Sequence, residues 1–165
     1  MSAPTDAAGA SGASEVEPRT SWNPANDGID HINIYSKGKT TLGRWLSNFA
    51  REPMMTDDGR FDSVEGYWYW LLCRNDGLRA MHGFHAKDFG RSQPITTNML
   101  HAEFQRRITN ALRDKADARP DMLATLRANQ LPLTHYYVFG GKTKHAGHEW
   151  LTRAWQNLAE EKAHV

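Results

Sequence analysis

Five apolar residues recur at helical spacing within a span of nine positions, and they constrain the fold more than any other feature of the sequence. They fall at i, i+3, i+4, i+7 and i+8: Val64, Tyr67, Trp68, Leu71 and Leu72. The stripe predicts an amphipathic helix that begins at Asp62 or Ser63, with Asp62 and Glu65 at the spacing of a loose capping box. Such a helix must bury its stripe against other elements, so we expect a packed core around it.

Several other segments have the patterns of strands and helices. Alternation over 31–35, a short run over 53–56 closed by the turn at 57–59, and the run 133–139 ended by Gly140-Gly141 predict strands. Helical spacing predicts further helices over 78–89 with a break at Gly83, over 97–116, from Pro120, and over 148–162. The last long stripes would bury Leu100, Phe104, Ile108 and Leu112, and Leu151, Ala154, Trp155 and Leu158. Together these elements predict a helix-rich α+β fold with a few short strands in a single domain.

The N-terminal segment differs from the rest of the chain in composition. Residues 1–28 are mostly Ala, Gly, Ser, Pro and acidic residues, which bury too little apolar surface to offset chain entropy. We therefore predict a disordered arm over 1–28 and a folded domain over 29–165. An inert leader is favoured over a binding segment.

Charge and cysteine content limit the classes of protein to consider. The 165 residues carry 20 Lys+Arg and 19 Asp+Glu, a net charge of +1, so any nucleic-acid or phosphate site must be local. No run approaches the ~20 apolar residues of a membrane span, and the N-terminus does not have the pattern of a signal peptide. The single cysteine, Cys73, excludes an internal disulfide and fits a reducing compartment, so we expect a cytoplasmic protein with no membrane partner.

The helix at 64–72 carries more aromatic side chains than one buried face needs. Core packing would use Tyr67, Trp68 and Leu71, which leaves Tyr69 and Trp70 for a planar ligand or for a second layer of helices. Glu65 also has two interpretations. It is either a capping residue or a carboxylate in a poorly solvated cleft, where its pKa would rise toward the range of acid/base catalysis.

The basic residues and histidines leave similar alternatives. Arg44, Lys87 and Arg91 are either phosphate ligands or solvated side chains, since guanidinium groups match phosphate bidentately. The histidine pairs at 82 and 85 and at 145 and 148 have a spacing that could hold a metal, but without cysteine partners they favour surface or hydrogen-bonded histidines. We therefore expect no metal and no cofactor.

Five segments in order resemble the NADAR (YbiA-like) domain family, and their order and spacing hold from about Ile32 to Leu158. The segments are Ile34-Tyr35-Ser36, Leu42-Gly43-Arg44-Trp45-Leu46-Ser47-Asn48-Phe49, Ser63-Val64-Glu65-Gly66-Tyr67-Trp68, Ala86-Lys87-Asp88-Phe89-Gly90-Arg91, and Tyr136-Tyr137-Val138-Phe139-Gly140-Gly141. The resemblance implies a YbiA-like fold and an N-glycosidase that cleaves base–ribose bonds in phosphoribosyl substrates or removes ADP-ribose from modified guanine. It implies that Glu65 is the acidic residue, Asn48 the polar residue of the Ser-Asn-Phe segment, and Lys87 and Arg91 the basic pair.

Two positions depart from the family pattern. Many members have Lys seven positions after the Glu, where this chain has Leu72, and a Tyr-Trp-Gly-x-Gly element where this chain has Val138-Phe139-Gly140-Gly141. These departures keep open a module that binds ADP-ribose or a nucleotide without hydrolysing it. A nucleic-acid-associated protein that uses Arg51, Arg106, Arg107 and Arg113 is disfavoured by the balanced charge.

We hypothesise that Glu65 is catalytic, facing the cationic sugar of the transition state and orienting water. The other predicted site residues bind substrate. Aromatic rings of Trp45, Trp68 or Tyr137 would sandwich the base. Phosphate would be held by Arg44, Lys87 and Arg91. Asn48 would form hydrogen bonds with the ribose hydroxyls, and Gly140 would complete the binding site. The expected partner is a small ribosyl phosphate or an ADP-ribosylated nucleic acid.

Overall fold

The computed structural model describes residues 22–161, so most of the predicted arm, residues 1–21, lies outside the described residues. Residues 22–28 instead belong to the domain. The buried carboxylate of Asp27 accepts hydrogen bonds from the backbone N–H groups of Asn33 at 3.0 Å and Lys39 at 2.8 Å. The prediction that the arm extends to residue 28 is therefore wrong for its last seven residues.

Three two-stranded sheets lie within the described chain. β1 (Ile32–Asn33) pairs in parallel with β4 (Leu133–Thr134), β2 (Met54–Thr56) pairs antiparallel with β3 (Gly59–Phe61), and β5 (Tyr136–Phe139) pairs antiparallel with β6 (Lys142–His145). Each of the three predicted strand regions contains a strand, although β1 is shorter than predicted and the run 133–139 is divided between β4 and β5, which belong to different sheets. Strand β3 was not predicted. Strand β6 was missed because Lys-Thr-Lys-His has no apolar alternation. The β1–β4 pairing joins the two ends of the domain.

Six α-helices pack around the core: α1 (Thr41–Leu46), α2 (Val64–Cys73), α3 (Gly83–Ser92), α4 (His101–Asp117), α5 (Pro120–Ala128) and α6 (Glu149–Glu160). A 3-10 turn over Asp76–Ala80 precedes α3. Helix α4 is central and contacts α2, α5 and α6. The predicted stripe of α6 is buried, and that of α4 is buried except at Leu100, which is 77% exposed because the helix begins one residue later. None of the helices within residues 22–161 is long and apolar enough to cross a bilayer.

The start of α2 differs from the predicted capping box. Ser63, not Asp62, caps the helix: its hydroxyl oxygen accepts the backbone N–H of Gly66 at 3.0 Å and donates to the carbonyl of Met81 at 2.8 Å. An extended serine before the helix satisfies an otherwise unpaired N–H group, as N-cap residues do. The side chain of Glu65 is therefore not used for capping.

The aromatic residues of α2 divide between the core and the surface differently from the prediction. Trp70 is a core residue: its ring lies 5.4 Å from that of Phe61, and its indole N–H donates to Asp76 at 3.0 Å. Trp68, predicted to be buried, is half-buried, as is Tyr69. The 3-10 turn that follows α2 covers Trp70, a contact that helical periodicity does not encode.

Candidate active site

The loop after α1 lies against the first turn of α2. The backbone N–H of Glu65 donates to the carbonyl of Asn48 at 3.0 Å, and the ammonium of Lys115 on α4 donates to the carbonyl of Ser47 at 3.0 Å. Two consecutive peptide groups of the loop are thus held by hydrogen bonds from two helices. The Ser-Asn-Phe segment is fixed beside Glu65 by these contacts.

Helix α3 packs closely on α2 through two small residues one turn apart. Ala86 is fully buried, and a Cβ atom on Gly90 would lie 2.2 Å from Cγ of Tyr69. Because Lys87 and Arg91 each follow one of these contact positions, the packing brings both cations to the side of α3 near Glu65, and both charges lower the pKa of its carboxyl group. This explains why a basic residue directly follows each of the two small residues in the segment 86–91.

Replacing Gly90 with Ala should therefore destabilise the protein. An added methyl group in a helix interior ordinarily stabilises by about 0.5–1 kcal/mol, but here it meets the rigid root of the Tyr69 side chain, and overpacking costs about 1–3 kcal/mol. Urea denaturation of Gly90→Ala against Ser92→Ala, an exposed position of the same helix, measures the difference. Equal or greater stability for Gly90→Ala would show that α3 has room to move away from α2.

A cavity of about 190 Å³ lies between the loop after α1, α2, α3 and strand β5. Its aromatic lining consists of Tyr35, Phe49, Trp68, Tyr69 and Tyr137, and its polar lining includes Ser36, Ser47, Asn48, Glu65, Lys87, His135 and His148. The ammonium of Lys87 lies 5.8 Å from the ring centre of Phe49 and 5.9 Å from that of Tyr137. Five aromatic side chains, one carboxyl group and one ammonium group thus line the same small cavity.

Glu65 is the buried acid of this cavity. It is 9% exposed, and its carboxyl group forms no hydrogen bond with any other residue of the described range. Since no fully buried side-chain oxygen within residues 22–161 lacks a partner, the accessible part of this carboxyl group faces the cavity. Burial raises the pKa of Glu65 to about 7, although the positive charges of Lys87 and Arg91 act in the opposite direction. Near neutral pH the group therefore exchanges a proton readily, which is the property required of a general acid or base.

Two histidines complete the lining and stay neutral near pH 7. Burial, with smaller contributions from His148 and His145, lowers the pKa of His135 to about 4. Burial likewise lowers the pKa of His148, whose ring lies 5.1 Å from that of Trp68. A neutral imidazole offers one hydrogen-bond donor and one acceptor to a ligand. Within residues 22–161, no group of three or more His, Cys, Asp or Glu is placed to hold a metal ion.

Some predicted site residues share the cavity and others do not. Glu65, Asn48, Trp68, Lys87 and Tyr137 line it together. Arg91 lies outside the lining, on the next turn of α3 after Lys87, where its charge still acts on Glu65. The positions of these six residues do not test their chemical roles, which remain predictions.

Trp45 and Arg44 do not line the cavity, so the structure does not bring them together with the other predicted site residues. Trp45 is buried in the core, with its ring 5.4 Å from that of Trp155 and its indole N–H bonded to Glu52. The guanidinium of Arg44 donates to the carbonyl of Gly38 at 2.9 Å, outside the cavity lining. Residue type alone suggested a stacking ring and a phosphate ligand, whereas α1 directs one side chain inward and the other toward its own N-terminal loop.

Gly140 has a conformational role and does not line the cavity. Together with Gly141 it forms the tight turn between β5 and β6, with φ of +52° and +78°. A two-residue hairpin turn of this kind requires positive φ at both central positions, which glycine adopts without strain. A Cβ atom on either glycine would meet no other atom within 4 Å, so conformation and not close contact requires these residues.

Eight lining residues were not assigned to the site from the sequence: Tyr35, Ser36, Ser47, Phe49, Tyr69, His135, His148 and Leu151. Tyr35 and Phe49 belong to the segments that resemble the family, which was a signal for assigning them. The histidines carried no local signal. His135 reaches the cavity because β4 pairs with β1, about 100 residues earlier in the chain.

The fold and cavity define an α+β domain of the YbiA-like fold class, as the sequence resemblance predicted. The chain is similar to the solved NMR structure of the E. coli protein YbiA, with a TM-score of 0.61 and 22% sequence identity, over 80% of this chain and 88% of that chain. No family model matches the sequence, and no curated protein does. At this identity the likeness establishes the fold, and function is argued from the residues of the cavity.

Proposed function

We propose that the protein is an N-glycosidase that hydrolyses the base–ribose bond of a phosphoribosyl or ADP-ribosyl substrate. The observation that carries the proposal is the carboxyl group of Glu65, which faces a ring-lined cavity, has a pKa raised by burial and forms no hydrogen bond with another residue of 22–161. A module that only binds ligand has no need of such a group, because burying an unpaired acid lowers stability. The arrangement therefore favours catalysis over binding alone.

The chemistry requires a group that responds to positive charge. As the bond between C1′ and the base nitrogen breaks, the ribose ring becomes an oxocarbenium-like cation and the bonding electrons leave with the base. Ionised Glu65 would stabilise that cation and orient a water molecule toward C1′. As the water oxygen bonds to C1′, Glu65 would accept a proton from that water, and the departing base would take up a proton from solvent to leave as the neutral product. Glu65 would then release its proton to solvent, which restores the ionised carboxylate.

The remaining lining residues would hold the parts of the substrate that do not react. Lys87 and Arg91 would bind phosphate. Lys87 lines the cavity, and the positive charges of both residues lower the pKa of Glu65, so both cations lie near the site. Asn48 would bond the ribose hydroxyls, and the half-buried rings of Tyr137 and Trp68 would contact the base. Binding energy from these groups would position C1′ beside Glu65.

The test of the reaction uses a small panel of substrates with the full-length protein. A ribosylaminopyrimidine phosphate, a nucleoside and an ADP-ribosylated guanine would each be incubated, with chromatography for the released base and sugar. We expect release from one phosphorylated member of the panel. Binding of the panel with no base release would instead support the non-catalytic module.

The phosphate assignment has its own prediction. The double variant Lys87→Ala/Arg91→Ala should weaken binding of a phosphorylated ligand by about 10- to 100-fold, since each charge-assisted hydrogen bond is worth ~1.5–3 kcal/mol and part of this is recovered from solvent. Binding of the matching unphosphorylated nucleoside should change little. Calorimetric titration of both ligands, with Arg127→Ala on the exposed surface of α5 as the control, measures the contrast. Equal losses for the two ligands would remove the phosphate role.

A further inference from the structure

We propose that one face of the β5–β6 hairpin binds single-stranded nucleic acid across the mouth of the Glu65 cavity, and we define this face by Tyr137, Phe139, Lys142 and Lys144. The substrate's base would then belong to a polynucleotide strand and not to a free nucleotide. This assignment of the substrate's base to a strand rests on the proposed N-glycosidase function, whereas binding of the strand to the hairpin does not.

The strand register places these four side chains together. Tyr137 pairs with Lys144, and Phe139 pairs with Lys142. Directly paired residues of an antiparallel ladder lie on the same face, and residues two apart along a strand do as well. Two rings and two ammonium groups therefore alternate on one face. Tyr136, Thr143 and His145 lie on the other face, which borders a separate cavity against α6.

The position of the face relates it to the site. Tyr137 lines the Glu65 cavity, and the ring of Phe139 follows at 6.1 Å toward the tip of the hairpin. Phe139 is 62% exposed although it is a large apolar residue, and both lysines are exposed. The rings thus form a path that leads from the cavity to the solvent. An exposed ring in such a place is available for a planar ligand.

The charge around this face is positive although the whole chain is nearly neutral. Residues 122–148 contain no Asp or Glu, and neither do residues 31–51. The two stretches adjoin, because Lys37, Lys39 and Val138 border one surface depression and the rings of Tyr35 and Tyr137 lie 5.8 Å apart. Asp27 also lines this depression, but its carboxylate is buried and accepts hydrogen bonds from two backbone N–H groups. The local electrostatic field near the cavity mouth therefore attracts an anion, although the net charge of the whole chain is only +1.

A single strand fits this combination better than a duplex. Lysines spaced along a surface follow a phosphate backbone, while exposed rings stack on bases, and only unpaired bases present their faces to such rings. Every base can stack on an aromatic ring, so we expect the surface to bind strands of different sequence with similar affinity.

The experiment measures binding of a fluorescein-labelled 12-nucleotide DNA strand of mixed sequence, without any modification, by fluorescence anisotropy. Phe139→Ala should weaken binding by about 5- to 150-fold, the range for loss of one stacked base. Lys142→Ala/Lys144→Ala should weaken it and reduce the slope of log affinity against log salt by about 1.4, from two lost phosphate contacts on a single strand. Arg127→Ala, an exposed cation on α5, should leave the affinity within about twofold of the parent, in the error of such measurements.

The outcomes separate this proposal from the proposed function. Wild-type affinity in both hairpin variants, equal affinity for a duplex of the same length, or tighter binding to anionic lipid vesicles than to the strand would overturn the surface assignment, whatever Glu65 does. Strand binding with the predicted dependence on the hairpin, but no base release from any substrate, would leave the surface standing and remove the N-glycosidase function.

Discussion

Glu65→Gln should lower turnover on a confirmed substrate by about 10²- to 10⁴-fold, the usual contribution of a positioned acid or base. Glutamine keeps the shape of the side chain but neither carries the negative charge that faces the sugar cation nor accepts a proton from water. Ligand affinity should change much less than turnover, because the aromatic and basic groups of the cavity remain. Single-turnover kinetics together with calorimetric binding measure the two quantities separately.

The same substitution should stabilise the protein at high pH. The pKa of Glu65 is about 7 in the folded protein against an ordinary value of 4.5, so the folded state binds more protons than the unfolded state between these pH values. The parent therefore loses stability as pH rises from about 4.5 to 7, with a penalty of roughly 3 kcal/mol above that range. Glutamine does not ionise and avoids the penalty. Glu65→Gln should thus unfold at a higher urea concentration than the parent at pH 8, with a smaller difference at pH 5.

The control is Glu160→Gln, at an exposed position on α6, which should change neither turnover nor the pH profile of stability. A loss of turnover with a gain in stability is typical of a catalytic residue held in an unfavourable environment. Full turnover in Glu65→Gln would remove the catalytic role. A loss of stability at pH 8 would instead show that the carboxylate is compensated in the fold by contacts that glutamine cannot make.

The elements that the sequence predicted well are those decided by local contacts. Helices α5 and α6 follow from the proline at position 120 and from a stripe at helical spacing, and the turn after β2 follows from Asp57-Asp58-Gly59. The cap of α2 shows the limit of local reasoning. Asp62 and Ser63 are both good caps, and the backbone places Ser63 in the extended conformation from which its hydroxyl reaches Gly66.

Much of the site was predicted from the segments that resemble the family. Glu65, Asn48 and Lys87 were assigned that way, and they line one cavity. Residue type without tertiary context gave the wrong position for Trp45, because its burial depends on α4 and α6, which lie far along the chain. His135 was missed for the same reason, since its place at the cavity depends on the pairing of β4 with β1.

The core of the domain contains a second group whose pKa is strongly shifted, and the remaining prediction concerns this group. Lys115 on α4 is 1% exposed, and its ammonium lies 5.2 Å and 5.7 Å from the ring centres of Trp45 and Trp155. Burial lowers the pKa of Lys115 to about 7, and the nearby carboxylate of Glu52 offsets only part of the shift. The unfolded state, with an ordinary lysine pKa of 10.5, therefore binds more protons than the folded state from pH 7 upward.

Stability should rise with pH over this interval, by up to roughly 3 kcal/mol between pH 7 and 9. Lys115→Met fills the same space without charge and should abolish that rise, so the urea midpoint of the parent should increase relative to that of the variant as pH rises from 7 to 9. Lys144→Met, at an exposed hairpin lysine, is the matched control and should follow the parent. Parallel curves for Lys115→Met and the parent would mean that Lys115 stays charged in the core. The hydrogen bond from its ammonium to the Ser47 carbonyl, one residue before Asn48, would then couple a buried charge directly to the loop that holds Glu65.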